Sequence, residues 1–81
     1  MLEGTFEISV LYDFYGPLLT DKQQRYVDLY YNENCSLTEI AESCNVSKQA
    51  VSDGLKHAEK QLRKYEEKLG LVERWKVEIG I

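Results

Sequence analysis

Apolar residues recur at intervals of three and four along most of this chain, the signature of helices that bury one face. Between Thr5 and Tyr15, Ile8, Leu11, Tyr12 and Tyr15 share such a face, and Gly16-Pro17 ends it because proline cannot continue the hydrogen-bond ladder. Thr20 stands three residues before Gln23, the spacing of a capping box, and opens a second helix with Tyr26, Val27, Tyr30 and Tyr31 on its apolar face. Asn32 to Asn34 closes it with residues that tolerate left-handed backbone. A second box, Ser36 with Glu39, opens a short third helix whose apolar residues are Leu37, Ile40, Ala41 and Cys44. Ser47 can cap a fourth, long helix, in which Val51, Leu55, Ala58, Leu62, Tyr65 and Leu69 repeat in a heptad seam until Gly70 stops it. Beyond it, Trp75, Val77, Ile79 and Ile81 alternate at spacing two, which predicts a short extended apolar tail.

The pattern predicts an all-α fold: a bundle of four helices with a long C-terminal helix, a core over residues 5–70 and a tail over 71–81. At 81 residues only one domain, spanning 1–81, is expected, because a chain this short buries only roughly 60% of the surface it exposes when unfolded.

The segment from Leu37 to Leu55 carries the spacing of a helix-turn-helix. Ala41 supplies the small residue where two helices cross, and Asn45, four later, can accept the strained turn backbone. Val46, Val51 and Leu55 follow the turn residue at one, six and ten positions, where apolar anchors are needed. The first turns of the fourth helix would then present Ser47, Lys48, Gln49, Ser52, Asp53 and Lys56, with Lys60 one turn on. Gln49 can pair with an adenine edge, and Lys48 with Lys56 can meet guanine or phosphate, with Lys60 a further contact, whereas Asp53 repels phosphate unless it accepts from a cytosine amine. Gly54 in mid-helix costs up to about 1 kcal/mol against alanine, and it is read either as a close approach to a neighbour or as a tolerated surface residue.

Charge at first opposes this reading, since 14 acidic against 10 basic residues give a net −4, and proteins that neutralise phosphates are usually basic. Resolved along the chain, Ser47–Lys64 holds Lys48, Lys56, Lys60, Arg63 and Lys64 against Asp53 and Glu59, a balance of +3 beside −7 elsewhere. That distribution permits groove contact by one helix and predicts weak, salt-sensitive binding.

At these residues the chain resembles the YlxM family of small bacterial proteins, whose fold is similar to region 4 of sigma factors. The resemblance covers residues 11–71 and is carried by LYDFYG at Leu11–Gly16, LLTDKQ at Leu18–Gln23, LYY at Leu29–Tyr31 and VSKQAV at Val46–Val51. It implies an all-helical protein, homodimer formation, and a part in the signal recognition particle pathway, as a DNA-binding transcription regulator or as a protein and RNA interaction module without sequence-specific DNA binding. Two departures bear on the partner surface: the chain ends at Ile81 where family members usually run on, and Ser52–His57 reads SDGLKH where relatives more often show an aromatic and then Asp-Asn.

The remaining residues point away from other chemistry. Tyr12, Phe14, Tyr15, Tyr26, Tyr30 and Tyr31 have the spacing of buried faces with few interleaved bases, so they are expected in the interior rather than stacked on RNA. His57 has no partner at catalytic spacing and is expected in solvent. Cys35 and Cys44 are expected as thiols, packed or unactivated, and two Cys with one His do not make a metal site. No nucleophile–base pair, phosphate loop or paired carboxylate set can be assembled, so no enzyme and no cofactor are expected. The longest apolar stretch is far short of the ~18 residues of a membrane span, and the acidic start lacks the basic residues of a secretory signal, which predicts a cytoplasmic protein. Leu62, Tyr65 and Leu69 of the distal seam, with Trp75, are expected to meet a second copy.

Overall fold

The computed structural model describes residues 2–80. Five α-helices follow one another: α1 Leu2–Tyr15, α2 Asp21–Val27, α3 Leu37–Cys44, α4 Lys48–Leu69 and α5 Leu71–Glu78. A 3-10 turn at Gly16–Leu18 follows α1, and α2 widens into a π-helical turn over Asp28–Asn32. No strand occurs among the described residues, and the protein is all-α as its periodicity predicts.

Local chemistry sets the helix ends. The Thr20 hydroxyl accepts from the Gln23 N–H at 3.2 Å while Gln23 Oε1 accepts from the Thr20 N–H at 3.0 Å. Ser36 and Glu39 repeat this reciprocal arrangement at 3.1 and 2.8 Å, so both capping boxes satisfy otherwise orphaned N–H groups. Asn34 and Asn45 adopt φ of 55° and 56°, the left-handed region that asparagine tolerates better than most residues. With Ser47 accepting from the Ala50 N–H at 3.0 Å, the chain leaves α3, turns at Asn45 and enters α4 within three residues.

Burial explains why these helices pack as they do. Val51, Leu55, Ala58 and Leu62 place one stripe of α4 in the interior, against Ile8, Leu11 and Tyr15 of α1. Tyr26 and Val27 of α2 and Ile40 and Ala41 of α3 close the same apolar cluster around the proximal half of α4. The helix-turn-helix is therefore braced from behind by α2, leaving the opposite stripe of α4 to solvent.

Two expectations are corrected. The segment after Gly70 is a fifth helix and not an extended tail; of the alternating residues, Ile81 lies outside the described ones. Gly70, at φ 61°, both ends α4 and starts α5, so the helix breaks at one residue. Val72 and Trp75, three apart, turn toward the core while Val77 is exposed. What stabilises the short helix is a carboxylate supplied from α4: Glu66 Oε1 accepts from the Val72 N–H at 3.0 Å and Oε2 from the Glu73 N–H at 3.1 Å. The Tyr15 hydroxyl of α1 donates to the same carboxylate at 2.5 Å and accepts from the Leu71 N–H at 3.0 Å. The second correction concerns Leu62, which is fully buried within this chain and has no surface to offer a second copy.

Candidate nucleic-acid interface

In α4, Gln49, Asp53, Lys56 and Lys60 follow one another at four, three and four, which places them on one helical face. All four are exposed, on the side opposite the buried Val51–Leu62 stripe. Lys48 is exposed in the first turn. Ser52 is half-buried and lies off this stripe, and Ser47, although exposed, has its hydroxyl engaged as the helix cap. The six residues expected from sequence thus divide into a cap (Ser47), a flanking pair (Lys48 and Ser52) and a solvent-facing row (Gln49, Lys56 and Lys60).

Within the row, Gln49 Nε2 donates to Asp53 Oδ1 at 2.9 Å. This bond holds the amide across one turn and leaves its carbonyl oxygen and one N–H open, the pair that an adenine edge requires. The Asp53 carboxylate in turn has a local donor that partly offsets its charge. Arg63, counted with the basic residues of this segment, is engaged elsewhere: its Nη1 donates to Glu7 of α1 at 2.7 Å, on the surface. Glu59 likewise turns inward and accepts from the Tyr31 hydroxyl at 2.5 Å. Burial and the Glu59 carboxylate push the Tyr31 phenol well above its ordinary range, so it stays a donor.

Gly54 is a close approach. A Cβ there would lie 2.6 Å from Cδ2 and Cε2 of Tyr26, far inside van der Waals contact, so α2 can brace α4 at this distance only against glycine. Tyr26 is 2% exposed, and its hydroxyl has no hydrogen-bond partner among the described residues.

The other residues singled out by sequence are also placed. Tyr15 and Tyr26 are buried, Tyr12, Phe14 and Tyr31 half-buried and packed on the core, and only Tyr30 is exposed, at 38%. His57 is exposed. Cys35 and Cys44 are free and half-buried; partial burial, then Glu39 and Glu33, push the Cys35 thiol up, away from reactivity. Among the described residues no group of three or more His, Cys, Asp or Glu could hold a metal ion, and no helix is long and apolar enough to cross a membrane. At the far end of α4, Tyr65 is half-buried, Leu69 is 51% exposed and Trp75 packs edge-on against Phe14 at 5.8 Å. Sequence reasoning missed Glu66 as the residue that docks α5; the glutamate four before a helix-ending glycine was a faint signal, but its partners come from α1 and from beyond the turn.

Over residues 2–81 the chain matches UPF0122, the YlxM/p13-like helix-turn-helix proteins. It belongs to that family. A UPF0122 protein of Desulforamulus reducens is 56% identical over 72 residues, covering 89% of this chain and 62% of the relative. One from Geobacillus kaustophilus is 52% identical over 75 residues, covering 93% and 68%, and one from Lactococcus lactis 50% over 76 residues, covering 94% and 68%. The chain thus spans 62% of the first of these relatives and 68% of the other two. Family membership and the backbone at Asn45 agree on the same unit, the helix-turn-helix of α3 and α4.

Proposed function

We propose that this UPF0122 chain is a non-enzymatic cytoplasmic regulator that lays α4 in the major groove of duplex DNA, binding weakly and in a salt-sensitive way. The observation that carries the reading is the exposed row of Gln49, Lys56 and Lys60 on a helix whose opposite face is locked into the core. Recognition needs a rigid helix with a solvated polar face, and α4 has both. No acidic residue stands in its first turn, so its N-terminus, with Lys48, offers partial positive charge to a phosphate. Asp53 and the acidic remainder of the chain limit non-specific affinity.

Fluorescence anisotropy with labelled duplexes at low and moderate salt tests this reading. Binding that weakens with salt and is lost on changing Lys48 and Gln49 to alanine is expected; absence of binding to any duplex, or indifference to both changes, removes it.

A second reading is favoured by the charge distribution. The −7 balance outside Ser47–Lys64 complements a basic protein partner, which supports a part in the signal recognition particle pathway through its protein. Pull-down with the purified targeting GTPase separates the two, a clean negative leaving only DNA. For a homodimer, Tyr65, Leu69 and Trp75 remain the proposed contacts, without Leu62. Changing Leu69 to Asp should shift a dimer toward monomer in sedimentation.

A further inference from the structure

An open cleft of about 430 Å³ lies between the start of α2 and the turn that joins α3 to α4. Asp21, Lys22 and Arg25 line it from α2, Cys44 from the end of α3 and Val46 from the turn. It therefore abuts the entry to the recognition helix. Arg25 is oriented there by its Nε, which donates to Cys44 Sγ at 3.4 Å, leaving the two terminal nitrogens of the guanidinium uncommitted. Lys22 Nζ sits 5.9 Å from the centroid of the Tyr26 ring, whose edge packs against Gly54 of α4. Among the described residues the only ion pair is Arg63 with Glu7, so neither Lys22 nor Arg25 is paired with a carboxylate, and Asp21 is the one acid that shares the cleft with them.

When a helix-turn-helix docks, the element before the recognition helix crosses the DNA backbone. Here that element is poorly suited to such a crossing, because α3 has no basic residue, and its Glu39 and Glu42 are exposed and would repel phosphate. Apart from Lys48, which follows the turn directly, the cations set against it belong to α2: Arg25 bonds Cys44, and Lys22 lines the same cleft. We propose that this cleft is a phosphate seat, in which Arg25, positioned by Cys44, and Lys22 hold the backbone of the duplex whose groove α4 enters. The arginine fork suits two phosphate oxygens and the lysine adds a point charge. The inference rests on the duplex-binding reading and adds to it a second contact region on a different helix.

The test combines two measurements on the whole chain. In the first, the salt dependence of binding to a mixed-sequence duplex is compared for the wild type and the Lys22→Ala, Arg25→Ala double variant; both residues are exposed, and circular dichroism checks the fold. The slope of log K against log salt should fall by about 0.9 for each lost contact, or roughly tenfold in affinity per contact at ~0.1 M salt. In the second, inorganic phosphate is titrated into labelled protein, and the Arg25 Nε–H resonance should move. Wild-type slope and affinity in the double variant overturn the seat while leaving the α4 reading standing. If no duplex binds the wild type, both fall, even where free phosphate moves Arg25. If Gln49→Ala abolishes sequence preference but the double variant alone changes the slope, both stand.

Discussion

At the scale of single residues, one atom more or less decides how α4 is held. Alanine ordinarily improves a helix over glycine by up to about 1 kcal/mol, yet Gly54→Ala drives a methyl into the buried Tyr26 ring at 2.6 Å. The clash outweighs propensity, because Tyr26 is buried in the core cluster and is 2% exposed, and overpacking of this kind costs typically about 1–3 kcal/mol. Thermal denaturation of Gly54→Ala should show a lowered midpoint; a raised one would mean the ring yields freely. The Tyr26 hydroxyl gives the opposite expectation. Buried without a partner among the described residues, it forfeits its hydration for nothing, so Tyr26→Phe should be neutral or stabilising by up to about 1–2 kcal/mol. A clearly destabilised Tyr26→Phe in urea unfolding would reveal a partner for that oxygen.

At the scale of elements, α5 depends on a carboxylate that belongs to another helix. Burial works to raise the Glu66 carboxyl, but the bonds from Tyr15, Val72 and Glu73, together with Lys76, outweigh it and hold the group below its ordinary 4.5. Its stabilisation is therefore present above pH 4.5 and is lost as pH falls through the depressed folded value. Burial, and then its bond to Glu66, raise the Tyr15 phenol above its ordinary 10.0. That contribution is intact below pH 10.0 and disappears as pH rises through the folded value. Glu66→Gln should loosen α5 at neutral pH by about 1–3 kcal/mol, read as faster hydrogen exchange at Val72 and Glu73 and red-shifted Trp75 fluorescence. Unchanged protection and emission would contradict this role. The same helix marks where local sequence patterns stop being informative. Thr20, Ser36, Asn45 and Ser47 act through neighbours within four residues, so their spacing alone predicts the second, third and fourth helices and the turn. Glu66 acts through Tyr15, 51 residues away, and across the Gly70 break, which no local pattern encodes. Trp75, Val77 and Ile79 alternate by composition, but the capped helix turns Val72 and Trp75 inward instead. Leu62 shows the same limit from the other side: a heptad seam does not say whether its cover is another helix of the chain or another chain. In the candidate interface, the row Gln49, Lys56 and Lys60 is legible from helical spacing, whereas the Gln49–Asp53 bond and the loss of Arg63 to Glu7 depend on rotamers and on a helix 56 residues away.

At the scale of the whole molecule, 42 Å long and 22 by 17 Å across, chemistry is divided along the length of α4. Its proximal half carries the turn, the exposed polar row and the brace of α2; its distal half carries the Glu66 hub and the exposed Leu69, with Leu71 following at the start of α5. An acidic body with one basic helix face is suited to steered, reversible contact and not to tight non-specific coating of DNA. The most direct test is a titration of isotope-labelled protein with duplex DNA, followed residue by residue by NMR. Duplex contact through α4 predicts that the largest shifts fall on Lys48, Gln49, Asp53, Lys56 and Lys60 and shrink as salt is raised, with α5 unmoved. Shifts confined to α5 and the distal end of α4, or none at any duplex concentration, would contradict it.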